Sequence, residues 1–295
     1  MRRTAASLAV TVLVAASAVA GAWPAAAASH RSAAAASGKS YYLSLGDSLS
    51  QGVQPNSQGA DVETQVGYPN QLFTALRLGN PTLRLFKLGC PGETTQTMIK
   101  GGICSYPDGS QLAQAAAFLK SHRGHVELVT IDIGANDLNP CVVLKSLPKI
   151  VACLSKVLPR TIKNLTTIMA ALRAASPTPV KIIGMNYYVP ELAEWLLGTP
   201  AARTLAKDSV LLGQVFGNDL SQVYTAFKAP VADVYDAFHT AEFNQKVFVP
   251  AFGMIPRDVA YICSLTWECT KFHNEHANRL GYGVIASAFL AADLG

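Results

Sequence analysis

The chain is poor in charge, has no long internal apolar run and lacks any cysteine couple at metal-binding spacing. Only 15% of its 295 residues are Asp, Glu, Lys or Arg, against about 25% in an average soluble domain. The formal net charge is +5, but no dense Lys/Arg stripe occurs, so no nucleic-acid partner is expected. Half of the chain is apolar, which excludes a long disordered protein. Its 22 Gly and 16 Pro are too few for a collagen-like or low-complexity chain. Cys-x-x-Cys is missing, and no His/Asp/Glu cluster has ligand spacing, so no metal is expected. Gly101-Gly102 lacks the Lys-Ser/Thr ending of a phosphate loop, and no cofactor is expected.

The one long apolar run lies at the extreme N-terminus, so no stable membrane span is expected. Arg2 and Arg3 precede the apolar stretch Leu8 to Ala20, and small residues follow at Ala26, Ala27 and Ala28. This is the layout of a secretory signal peptide over residues 1–28. Residues 29–40 are Ala/Ser-rich and read as a flexible lead. No later linker splits the chain, so residues 41–295 are expected to form one domain, secreted and monomeric. All 6 cysteines lie beyond the leader. An even number in an exported chain reads as disulfides. Many pairings are possible; nearest neighbours (Cys90–Cys104, Cys141–Cys153, Cys263–Cys269) are the simplest.

From residue 41 onward, strand and helix patterns alternate. Apolar or β-branched runs occur at 41–45, 83–88, 126–133, 180–185 and 231–234. Helical spacing occupies 68–78, 111–121, 144–175 (interrupted by Pro148 and Pro159), 203–228 and 282–294. Such alternation argues for an α/β fold with a parallel sheet and helices on both faces. Sheets of this kind bind ligands at the carboxyl ends of their strands. The strand exits are Gly46-Asp47-Ser48-Leu49-Ser50, Gly89-Cys90-Pro91-Gly92-Glu93-Thr94-Thr95 and Gly134-Ala135-Asn136-Asp137-Leu138. Before the last helix comes His276-Ala277-Asn278-Arg279-Leu280-Gly281-Tyr282.

Those exits carry the parts for acyl transfer. A serine hydroxyl needs a neighbouring base, usually histidine, and the oxyanion needs donors already aimed at it. Ser48 is the candidate nucleophile and His276 the candidate base. Ser48 N–H, Gly89 N–H and the Asn136 side chain are candidate oxyanion donors. Asp47 directly precedes the nucleophile and reads as a turn or capping residue. Asp137 reads as a loop buttress, and His273 as a rival base displaced by the pattern after His276.

The four segments resemble blocks I, II, III and V of the SGNH (GDSL) hydrolases: Ser48 in GDSLS, Gly89 in LGCPGETT, Asn136 in GANDL and His276 in HANRLGYGVIA. The wording is similar to the secreted actinobacterial esterase/lipase branch, which typically pairs neighbouring cysteines. The resemblance implies a three-layer α/β/α sandwich with a flavodoxin-like, five-stranded parallel sheet. It also implies a serine esterase or lipase acting on an ester or lipid substrate, with Ser48, Gly89 and Asn136 as oxyanion hole. One position departs from the family, whose Asp two or three residues before the histidine is replaced by Asn274 and His273. The orienter of His276 is therefore expected elsewhere: the Trp267 backbone carbonyl, Glu275 or Glu268. Phospholipids and acetylated carbohydrates are alternative substrates for the same machinery. A non-catalytic surface-binding protein on a retired hydrolase fold is the rival class.

Overall fold

A computed structural model describes residues 38–144, 146–176 and 180–294. The leader and most of the lead lie outside the described residues. Five strands form one parallel sheet: β1 (Ser40–Gly46), β2 (Leu83–Lys87), β3 (Val126–Asp132), β4 (Lys181–Met185) and β5 (Val231–Ala232). Their order is β2-β1-β3-β4-β5, and every pairing is parallel. Central strands of such a sheet are covered on both faces and become apolar throughout. β1 shows this, with Tyr42, Leu43 and Leu45 fully buried. The Tyr42 hydroxyl is satisfied by Thr130 Oγ1 at 2.8 Å.

Helices follow the strands. α1 (Ser48–Gln51) is a single turn after β1, and α2 (Tyr68–Gly79) leads to β2. α3 (Thr95–Lys100) and α4 (Gln111–Ser121) lead to β3, and α5 (Ala135–Val142) and α6 (Leu147–Ala175) to β4. α7 (Pro200–Ala226) leads to β5. After it come α8 (Val234–Ala237), α9 (Arg257–Leu265) and α10 (Arg279–Leu294). α2 and α10 share one face, where Tyr68 stacks on Phe289 at 4.7 Å. α4, α6 and α7 pack side by side on the other. The result is a three-layer α/β/α sandwich.

Two prolines behave differently from each other. Pro148 stands at the start of α6, where a missing N–H costs nothing. Pro159 was expected to interrupt the helix, yet α6 runs unbroken through it for 29 residues. Its ends are fastened by the Cys141–Cys153 bond on one side and by Leu165, Ile168, Met169 and Leu172 in the main core on the other. Tertiary packing here outweighs the local penalty of about 3 kcal/mol.

The cysteines are joined as Cys90–Cys104, Cys141–Cys153 and Cys263–Cys269. Each bond closes a loop of 14 residues or fewer and stabilises by about 2–3 kcal/mol in the chain-entropy account. Each also fastens a segment at the carboxyl edge of the sheet: the β2 exit, α5, and the strand beside His276.

Candidate active site

The turn after β1 is shaped by close approach. Gly46 has φ +135, and a Cβ there would collide with the Asp132 carbonyl. Gln111 brackets Gly46 by accepting from its N–H at 2.7 Å and donating to its carbonyl at 2.9 Å. Asp47 then caps α1, accepting from Leu49 N–H at 3.0 Å. Ser48 becomes the first residue of that turn, half-buried at the cavity wall.

Beneath the turn lies a buried acid pair. Asp132 accepts from Tyr68 Oη at 2.5 Å and from Ser50 N–H at 3.2 Å. Asp47 accepts from Tyr187 Oη at 3.3 Å. Burial pushes the Asp47 carboxyl up to about 6. Burial and the Asp47 charge push Asp132 well above the carboxylate range. Asp132 Oδ2 also accepts from Asp47 N–H at 3.4 Å, and the Asp47 charge disfavours ionisation of Asp132.

Gly89 needs its missing side chain for space rather than for φ. A Cβ would collide with Ser50 Oγ and come within 3.1 Å of the Asp47 carbonyl. Its own carbonyl accepts from Gln51 Nε2 at 2.7 Å. Asn136 opens the turn after β3; its Nδ2 donates to the Glu93 carbonyl at 3.0 Å and its Oδ1 accepts from Asn139 at 3.0 Å. One Nδ2 hydrogen is left for a ligand. Asp137 ties this turn to α3, accepting from Thr95 N–H at 2.7 Å and from its hydroxyl at 2.6 Å. Ser48, Asn136 and His276 line one cavity, while Gly89 packs behind the Ser48 turn outside its lining.

His276 sits on a short strand, Asn274–Ala277, paired with Thr266–Trp267. Its Nδ1 lies 2.9 Å from Asn274 Oδ1 and 3.7 Å from Asp61 Oδ1. Asn274 Nδ2 donates to Asp61 Oδ1 at 2.8 Å. A carboxylate accepts only, so Asp61 fixes which end of the amide faces the ring. Asn274 Oδ1 then requires a proton on Nδ1 and leaves Nε2 as the basic nitrogen. Asn274 was not among the expected orienters. The Trp267 carbonyl is taken by Thr270 Oγ1 at 2.7 Å. The Glu275 carbonyl accepts from Tyr188 at 2.8 Å, while its charge acts on the imidazole. Residues two apart in a strand share a face, which puts Asn274 beside His276. Asn274 was visible as a departure, but nothing in the sequence linked it to Asp61.

Burial lowers the His276 pKa from its ordinary 6.5, with the Asp61 and Glu275 charges opposing. The imidazole is therefore neutral, the form a base needs, at neutral pH. With a general base at this position, kcat/KM is expected to rise with pH through a value below 6.5. A pH profile whose acid limb lies above 6.5 would contradict this environment. Glu191 enters the same cavity, and burial pushes it up to about 7. Among the described residues, no group of three or more His, Cys, Asp or Glu is placed to hold a metal ion. No described helix is long and apolar enough to cross a membrane.

The sequence pattern of the GDSL-like lipase/acylhydrolase family matches residues 44–273. No curated protein sequence matches the chain. Among solved structures, an extracellular lipase from Streptomyces rimosus is similar at 16% identity and TM-score 0.56, covering 86% of this chain and 99% of that one. The lipase Lip_vut3 from a goat rumen metagenome is similar at 17% and 0.54, over 87% and 99%. The acetylxylan esterase Axe2 from Geobacillus stearothermophilus is similar at 19% and 0.52, over 86% and 93%. These likenesses concern the fold; the family pattern reaches further, across most of the sequence. On that pattern the chain belongs to the GDSL-like lipase/acylhydrolase family and is a carboxylic ester hydrolase.

Proposed function

We propose that this chain is a secreted serine esterase or lipase working through an acyl-enzyme on Ser48. Ser48 Oγ attacks the ester carbonyl carbon while His276 Nε2 takes its proton. The carbonyl π electrons move to oxygen, and Ser48 N–H and Asn136 Nδ2 stabilise that oxyanion, while Gly89, expected as a third donor, lies outside the cavity lining. The oxyanion collapses, the C–O bond to the alcohol breaks, and His276 returns its proton to the leaving alkoxide. Water then attacks the acyl-enzyme by the same route and releases the acid. The supporting observation is the shared cavity of Ser48, Asn136 and His276, with His276 Nδ1 held by an acceptor.

A fluorophosphonate probe should label Ser48 stoichiometrically and leave Ser48→Ala untouched; an unlabelled wild type would favour a non-catalytic binder. Asn136→Ala should lose about 10²–10³ in kcat, the scale of one oxyanion donor. Unchanged turnover would remove Asn136 from the reaction. Secretion is supported by the leader pattern of residues 1–28 and by three disulfides, which persist in oxidising compartments. Monomeric behaviour is part of the same proposal.

A further inference from the structure

α6 and α7 are longer than the sheet they cover. At 1.5 Å per residue their 29 and 27 residues span roughly 40 Å. β3, with 7 residues, spans roughly 23 Å. A Cβ on Gly134, just past the end of β3, would lie 3.3 Å from Phe216 and 3.5 Å from Thr161. Those contacts mark where the two helices meet the sheet's carboxyl edge. The N-terminal parts of both helices, before these positions, project beyond it.

The projecting parts carry their own apolar cluster. Cys141, Ile150 and Leu154 are buried together, with Leu138, Leu158, Leu205 and Leu212 packed against them. Most of that cluster is separate from the main core. Leu138, Ile150, Leu154, Leu158, Leu205 and Leu212 all face the cavity that Ser48 enters. Ile150, Leu154 and Leu158 stand four residues apart and so form one stripe, about 12 Å long. The Cys141–Cys153 bond fastens this part of α6 to the end of α5, the helix that carries Asn136.

We propose that the overhanging parts of α6 and α7 hold the acyl chain, so that this enzyme selects medium-length acyl groups, hexanoyl to decanoyl, over acetyl. The proposal rests on Ser48 being the nucleophile, since the channel then begins at the acyl carbon. A lined apolar channel rewards each added methylene by up to about fourfold when it is fully buried. Leu154 and Leu212 determine specificity, one from each helix. An acetyl group would leave this stripe uncovered and gain nothing from it.

The test is the ratio of kcat/KM for p-nitrophenyl octanoate to that for the acetate, a ratio independent of how much enzyme is folded. Wild type should give ten or more, and Leu154→Trp and Leu212→Trp should each cut the ratio at least fivefold. Anything less in either measurement overturns the channel. If Leu154→Trp fails to fold, Leu154→Phe replaces it under the same criterion. Fluorophosphonate labelling of Ser48, run on the same samples, separates the two ideas. Labelled enzyme without the chain-length preference sinks the channel alone, whereas unlabelled enzyme sinks the serine mechanism.

Discussion

Ser48→Ala and His276→Ala should each lose about 10⁵–10⁶ in kcat, and the double variant should be no worse than the poorer single. The reason is that nucleophile and base form one unit: without the hydroxyl there is no proton for the imidazole to take. Steady-state kinetics on a p-nitrophenyl ester, with circular dichroism to confirm folding, checks this. Effects that add on a logarithmic scale would mean that the two side chains act independently. A His276→Ala enzyme within tenfold of wild type would hand the base role to another group.

Asn274→Leu should cost about 10³-fold or more in kcat/KM, approaching the effect of a triad orienter that fixes the wrong tautomer. Leucine keeps the bulk of asparagine but offers no acceptor to Nδ1, so the ring loses the preference that exposes Nε2. Asn274→Asp is the informative partner. It restores an acceptor and adds a negative charge beside the ring, which favours imidazolium. Activity should return at neutral and higher pH, while the acid limb of kcat/KM moves upward from its wild-type position. If Asn274→Leu retains wild-type activity, the 2.9 Å contact does not orient the base. If Asn274→Asp leaves the acid limb unmoved, the Asn274 side chain does not govern the imidazole's charge.

Much of the architecture was legible because the buried sheet leaves a direct trace. The runs 126–133 and 180–185 are apolar because strands covered on both faces have no wet side, and Gly134 marks the exit of the first. The candidate nucleophile, oxyanion donors and base were named on the same signal, since each follows a strand or precedes the last helix. The His276 partner was not legible. Asp61 and Asn274 are 213 residues apart, and each alone reads as an ordinary loop polar residue. Pro159 misled in the opposite direction, since a local helix-breaking signal gave way to packing at both ends of α6. α9 was also missed, because it is short and set by its neighbours rather than by its own periodicity.

By itself the sequence determined the layer order, the strand exits and the types of group gathered there. These follow from hydrophobic period and turn chemistry, which act over a few residues. Tertiary structure alone decided that an amide backed by a carboxylate faces the imidazole, that two carboxyls are buried beneath the Ser48 turn, and that the projecting parts of two long helices line an apolar cavity. Each of these depends on distances between segments far apart in the chain, and local propensity carries no information about such distances.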